Sequence, residues 1–133
     1  MELPLAKLSE HVLFSHGAAG AARTRAPLAD FEPAEPVVVV MTVAVGTLEY
    51  FVPALANHEQ YCTRHGYAHV VLKSCPADRH PSWCKIIVAH ALLKSGLFTE
   101  VFQVDADSLV MELSQPTSSL PAGDFVLSCS TTT

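Results

Sequence analysis

The sequence predicts an α/β domain in which a parallel sheet is connected by crossover helices. Residues 37–45 form an uninterrupted run rich in β-branched side chains, which is typical of a central parallel strand buried on both faces. Strand-like and helix-like segments then alternate as far as residue 127. Such alternation favours βαβ units, in which each helix crosses from one parallel strand to the next.

Composition and charge limit the function classes. The chain has 133 residues, of which 50% are hydrophobic and 16% charged, so we expect a folded domain with a real core. The formal net charge is -5 and no basic patch is present, so a nucleic-acid partner is not expected. No segment approaches the roughly 18–20 apolar residues that span a bilayer. The N-terminal stretch also lacks the basic start and apolar core of a signal peptide.

The chain is predicted to have two parts. Residues 1–36 are expected to be a leader of low specificity, disordered apart from a short helix, because residues 17–22 contain only Gly and Ala and three prolines follow. Residues 37–133 are expected to form the α/β domain.

Local sequence signals predict the helices and strands of that domain. A helix is expected at residues 53–65, because Gly66 is a natural residue just past a helix end. Strands are expected at residues 67–73, 101–104 and 125–127. Ser82 is expected to cap a helix at residues 83–95. The buried face of that helix is expected to contain Trp83, Ile86, Ile87, His90, Ala91 and Leu93.

Two carboxylates, Asp105 and Asp107, follow the apolar run at residues 101–104. Ligands of open α/β sheets bind outside the carboxyl ends of the strands. Alternate residues of an extended chain point the same way, roughly 6.6 Å apart, and a turn can bring them around one ion. Carboxylate oxygens suit Mg²⁺ and Mn²⁺, so the pair predicts a metal site. The alternative is that both are turn residues, for which Asp is common.

Other candidate residues leave alternatives open. Cys75, His80 and Cys84 suggest zinc, although a structural zinc site needs four ligands at tight spacing. A Cys75–Cys84 disulfide in an oxidising compartment is the other interpretation, and the spacing does not decide between them. Lys85 is either a solvated lysine or a cation for a phosphate. Trp83 is expected to be a core anchor.

Three blocks together resemble a known family. They read Asn57-x-x-x-Tyr61-Cys62-x-Arg64-His65-Gly66-Tyr67, Pro81-Ser82-Trp83-Cys84-Lys85-Ile86 and Phe102-Gln103-Val104-Asp105-Ala106-Asp107-Ser108-Leu109-Val110. Their order and spacing resemble glycosyltransferase family 34, a group of galactosyltransferases and xylosyltransferases, over about residues 37–128. One departure is Gln103, which stands where the family often has an aromatic residue.

The resemblance implies a Rossmann-like GT-A fold, Mn²⁺ or Mg²⁺, a nucleotide-diphosphate sugar donor such as a UDP- or GDP-sugar, and a glycan acceptor. Asp105 and Asp107 would be the metal ligands, and Lys85 would pair with the diphosphate. Thr42 and Val43, at the end of the first strand, would lie near the nucleoside.

Family members are usually Golgi proteins with a membrane anchor, and they continue into an acceptor-binding half. This chain shows neither feature, so we expect it to be the donor-binding half of a glycosyltransferase, apparently truncated, with its catalytic residues unidentified. The alternative is a non-catalytic α/β remnant or binding module that turns nothing over.

Overall fold

The computed structural model describes residues 3–45, 52–76 and 80–119, which form an α/β fold as predicted. In chain order the elements are α1 (Leu5–Ser9), β1 (Val12–His16), β2 (Thr24–Arg25), β3 (Val37–Val43), α2 (Val52–His65), β4 (Ala68–Leu72), α3 (Pro81–Lys94) and β5 (Phe98–Asp105). Two short 3-10 helices lie at Leu28–Asp30 and Thr117–Ser119. None of the described helices is long and apolar enough to cross a membrane.

The strands form one five-stranded mixed sheet in the order β2-β1-β4-β3-β5. The central strand β3 is parallel to both neighbours, and Val39 lies opposite Ala68 of β4 and Val101 of β5. β1 pairs antiparallel with β4 and with β2. The sheet is therefore a parallel core of three strands, extended by two antiparallel strands on the β4 side.

Residues 3–36 belong to the folded domain, contrary to the prediction of a leader. β1 pairs with β4, with Val12 opposite Leu72, and Val12 is buried. Leu28 and Phe31 join the same core. The parallel strands leave the outer edge of β4 open, and β1 pairs with that edge while its apolar side extends the core. The prolines that argued against regular structure lie between the elements, where they remove no ladder hydrogen bond.

The two crossover helices cover opposite faces of the sheet. Val39 and Met41 of β3 pack in the cluster that contains Val88 of α3. Val40, between them, packs with Tyr61 of α2 on the other side. Successive side chains of a strand point to opposite faces, so the continuous apolar run in β3 supplies both layers of the core.

The buried stripe of α3 differs from the predicted one. Cys84, Val88 and Leu92 are fully buried, whereas Trp83 is 60% exposed and Leu93 is 48% exposed. The expectation that Trp83 anchors the core is therefore wrong. This helix is apolar around most of its circumference, so helical spacing fits more than one stripe. The stripe that faces the sheet is the one that starts at the disulfide-bonded Cys84.

The remaining helix ends follow the prediction closely. Gly66 follows α2 with φ +73°, a left-handed conformation that favours glycine. α3 begins at Pro81, whose missing N–H is tolerated in the first position. Its cap is His80 rather than Ser82, because His80 Nδ1 accepts a hydrogen bond from the Ser82 N–H at 3.2 Å. The strand predicted at residues 125–127 lies outside the described residues.

Candidate functional site

The topology points to one edge of the sheet. From β3 the chain passes through α2 to β4 on one side, and then through α3 to β5 on the other side of β3. The strand order therefore reverses between β3 and β5. Ligands of open α/β sheets bind in the crevice outside the carboxyl ends of the strands at such a switch point. The ends of β3 and β5 are thus the place to look for a site.

Asp105 and Asp107 lie on a turn at this switch point, and both are exposed. Asp105 is the last residue of β5 and lies opposite Val43, the last residue of β3. The Ala106 N–H donates to the Val43 carbonyl at 3.2 Å, and the Ser108 N–H donates to the Asp105 carbonyl at 3.0 Å. The structure therefore brings together two of the predicted site positions, Val43 and Asp105, from distant parts of the chain.

The residue between the two aspartates explains why both face outward. Ala106 is 4% exposed and packs with Ala44 and Val71, with Leu55 of α2 against the same cluster. A small apolar side chain at this position lets the turn sit directly on the end of the sheet. Burial of the middle residue leaves the flanking carboxylates in solvent.

The two carboxylates have little to neutralise them. Asp105 Oδ1 accepts a hydrogen bond from Gln103 Nε2 at 2.6 Å, and neither aspartate forms an ion pair with a described residue. Among the described residues, no group of three His, Cys, Asp or Glu side chains could hold a metal ion. Mg²⁺ is usually bound by one or two carboxylates together with substrate phosphates and water. The donor set at Asp105 and Asp107 fits that kind of site, in which the ligand completes the coordination.

Thr42 faces the interior rather than the crevice. Its side chain is fully buried, and its hydroxyl oxygen lies 2.8 Å from His58 Nδ1 and 2.7 Å from His69 Nε2. A contact between this side chain and a nucleoside would require both hydrogen bonds to break. The predicted role of Thr42 stays a prediction, and the half-buried Val43 is the residue of the pair that lies beside Asp105.

Lys85 lies near the start of α3 and is half-buried. Its helix begins at the same edge of the sheet, because α3 follows β4 and the last residue of β4, Leu72, lies opposite Val43. Lys85 forms no ion pair with Asp105 or with any other described residue. Its pairing with a diphosphate stays a prediction.

A buried hydrogen-bond chain lies beneath the turn, and sequence reasoning missed it. His58 and His69 are 0% and 4% exposed. His58 Nε2 lies 2.7 Å from the Ser108 carbonyl, which only accepts, so this nitrogen carries the proton. In the neutral ring Nδ1 then accepts from the Thr42 hydroxyl, and that hydroxyl accepts from the Nε2–H of His69.

Both histidines are held neutral. Burial lowers the pKa of His58, and the hydrogen bond to Ser108 only partly opposes it. Burial also lowers the pKa of His69 to about 3, with smaller contributions from His58, Arg23 and Arg25. Both neutral rings hydrogen-bond to the Thr42 hydroxyl, so these polar groups are paired without a buried charge. A buried charge at this position would be costly.

One face of α2 also binds the segment that follows the turn. Asn57 makes two hydrogen bonds to the main chain of Val110: its Nδ2 donates to the carbonyl at 3.1 Å, and its Oδ1 accepts from the N–H at 2.7 Å. Further along α2, Tyr61 Oη donates to the Gln115 carbonyl at 2.6 Å, and His65 Nε2 lies 2.7 Å from the Leu113 carbonyl. The sequence signal was the polar spacing 57, 61, 65, which repeats every four residues on a helix.

The three cysteines of the described residues, Cys62, Cys75 and Cys84, do not form a metal site. Cys75 and Cys84 are joined in a disulfide with their Cα atoms 5.7 Å apart, so the zinc alternative for Cys75, His80 and Cys84 is wrong. Cys62 is a free, buried thiol, and burial raises its pKa to about 12. A thiol with such a pKa is neither a metal ligand nor a nucleophile at neutral pH.

Three cavities of about 500 to 530 Å³ lie away from the aspartates. One lies between α1 and α3 and is lined by Leu5 and His90, among others. Another is lined by Gly66 and Ala68 at the start of β4, and the third by Arg23 and residues of α2. Neither aspartate lines any of these three cavities.

Comparisons with known proteins add no relative. No family model matches the chain. No curated protein matches it, and no solved structure does.

Proposed function

We propose that this chain is the donor-binding part of a metal-dependent glycosyltransferase with a GT-A type fold. The observation that supports this proposal is that two exposed carboxylates, Asp105 and Asp107, lie at the switch point between β3 and β5 and form no ion pair with any described residue. The resemblance of three sequence blocks to glycosyltransferase family 34, the third of which contains both aspartates, also supports it. The donor is a UDP- or GDP-sugar and the acceptor a glycan, both by resemblance alone.

Residues at this edge of the sheet would have different roles in binding the metal and the donor. Asp105 and Asp107 would hold Mn²⁺ or Mg²⁺, which when bound neutralises the donor diphosphate and stabilises the nucleotide leaving group. Ala106 keeps both carboxylates pointing outward by packing under them. Lys85, at the start of α3, would add a positive charge for the diphosphate on the same edge.

A second candidate function is a module that binds a nucleotide sugar without turning it over. It is favoured by one observation: among the described residues, no group of three His, Cys, Asp or Glu side chains could hold a metal ion. Catalysis depends on groups preorganised around the reacting atoms. Transfer or donor hydrolysis by the purified chain would rule this second function out.

Calorimetric titration with UDP in the presence and absence of Mn²⁺ tests the proposal. The wild type should bind UDP with Mn²⁺ and lose that binding when the metal is chelated. The variant Asp105→Ala/Asp107→Ala should bind neither Mn²⁺ nor UDP. A matched control is Asp30→Ala/Glu35→Ala, which removes two exposed carboxylates elsewhere on the surface and makes the same change in net charge. Equal affinity in the wild type and the Asp105→Ala/Asp107→Ala variant would contradict the metal role.

A further inference from the structure

The turn that holds Asp105 and Asp107 is fixed on both sides, by different means. On the N-terminal side it continues β5, where Asp105 is in register with Val43. On the C-terminal side the chain leaves the sheet, and none of the described strands pairs with it. There the Ser108 carbonyl accepts from His58, and both main-chain groups of Val110 bond to Asn57.

The contact with Asn57 is directional as well as local. A single side-chain amide satisfies both the N–H and the carbonyl of Val110, much as a neighbouring strand would. Val110 lies three residues beyond Asp107, so this pair of hydrogen bonds fixes where the chain goes after the second carboxylate. Asn57 is half-buried, which strengthens the bonds relative to a solvent-exposed pair.

The orientation of the His58 ring is set by hydrogen bonds within the core of the domain. The ring donates from Nε2 to Ser108, while its Nδ1 is held by the Thr42 hydroxyl, which is in turn bonded to His69. Thr42 lies on β3 and His69 on β4, so the ring orientation is set by two strands of the parallel core. Groups behind a metal ligand commonly set its orientation in this way.

We propose that Asn57 and His58 are positioning residues for the metal site, holding the turn so that Asp105 and Asp107 are preorganised around the ion. The inference rests on the proposed function, because it needs those carboxylates to bind metal. It goes further by assigning a role to two residues of α2 that touch neither metal nor donor. Within the described part of the chain, their hydrogen bonds hold the backbone on the C-terminal side of Asp107, while the ladder at Asp105 and the Ala106 N–H hold the N-terminal side.

Affinity for Mn²⁺ in the presence of UDP tests the inference, measured where circular dichroism shows every variant folded. Asn57→Ala and His58→Leu should each weaken Mn²⁺ binding by about 10-fold or more, the usual effect of losing a group behind the ligands. His58→Gln places an amide N–H near the position of Nε2 and should restore most of the affinity. Tyr61→Phe is the control, because it removes a hydrogen bond to Gln115, further from the aspartates, on the same face of α2.

The outcomes separate the two proposals. Affinity unchanged in Asn57→Ala, or lowered equally by Tyr61→Phe, would overturn the positioning role while leaving the metal site intact. A wild-type chain that binds no Mn²⁺ with UDP would overturn the proposed function, and the positioning role with it. Should His58→Leu not fold, Asn57→Ala and Tyr61→Phe still decide the question, since Asn57 is half-buried and Tyr61→Phe removes only a hydroxyl group.

Discussion

Acidification is expected to destabilise this protein through its buried histidines. Burial, with smaller contributions from His58, Arg23 and Arg25, lowers the pKa of His69 from 6.5 to about 3. The unfolded chain therefore binds a proton near pH 6.5 that the folded chain does not bind until about pH 3. Stability from the neutral ring is fully present above pH 6.5 and is lost progressively as the pH falls toward 3.

The size of the loss follows from the width of that window. One pKa unit corresponds to about 1.4 kcal/mol, so lowering the pH from about 6.5 to about 4.5 should cost roughly 2–3 kcal/mol through His69. That is a large part of the stability of an ordinary domain, about 5–15 kcal/mol.

Urea unfolding at about pH 7 and about pH 4.5 measures this effect. His69→Gln keeps an N–H donor near Thr42 but does not titrate, so its stability should fall by roughly 2–3 kcal/mol less than that of the wild type over this interval. His90→Gln, at an exposed position on α3, is the control and should lose as much stability as the wild type. The same acid loss in His69→Gln and in the wild type would refute the reasoning.

Two further predictions concern the stability of the fold, through the disulfide and through a glycine with positive φ. Reduction of the Cys75–Cys84 disulfide, which spans 9 residues, should lower the stability by roughly 2–3 kcal/mol. Melting curves should therefore shift with dithiothreitol in the wild type but not in Cys75→Ala/Cys84→Ala, and a shift in both would contradict it. Gly66→Ala should lower the urea midpoint of unfolding more than Gly20→Ala. Both glycines have positive φ, so both substitutions strain the backbone. A Cβ at Gly66 would also lie 2.8 Å from the Ala19 nitrogen, whereas a Cβ at Gly20 meets nothing within 4 Å. Equal midpoints for the two variants would show that the close approach has no cost.

The parallel core was predictable because its signals are local and strong. The β-branched run of β3, the glycine after α2 and the carboxylates after β5 each act within a few residues. The antiparallel extension was not predictable in this way. β1 is short, and its pairing with the parallel core depends on the open edge of β4, more than 50 residues away in sequence.

In the candidate site, too, the local features could be predicted from the sequence and the long-range contacts could not. Asp105 and Asp107 could be found from sequence because adjacent carboxylates after a strand form a local pattern. The support from α2 could not, since Asn57 and His58 act on residues about 50 positions away. His58 and Thr42 also looked like separate polar residues, and only the packing of α2 on β3 shows that they satisfy one another.

Paramagnetic broadening by Mn²⁺ is the most direct test of the claim that the switch point between β3 and β5 binds a metal. Amide resonances of the isotope-labelled chain would be followed as Mn²⁺ is added in the presence of UDP. We expect broadening centred on Asp105, Asp107 and Ser108 and extending to Val43 across the ladder, with none in Asp105→Ala/Asp107→Ala. Broadening centred elsewhere, or unchanged in that variant, would contradict the claim.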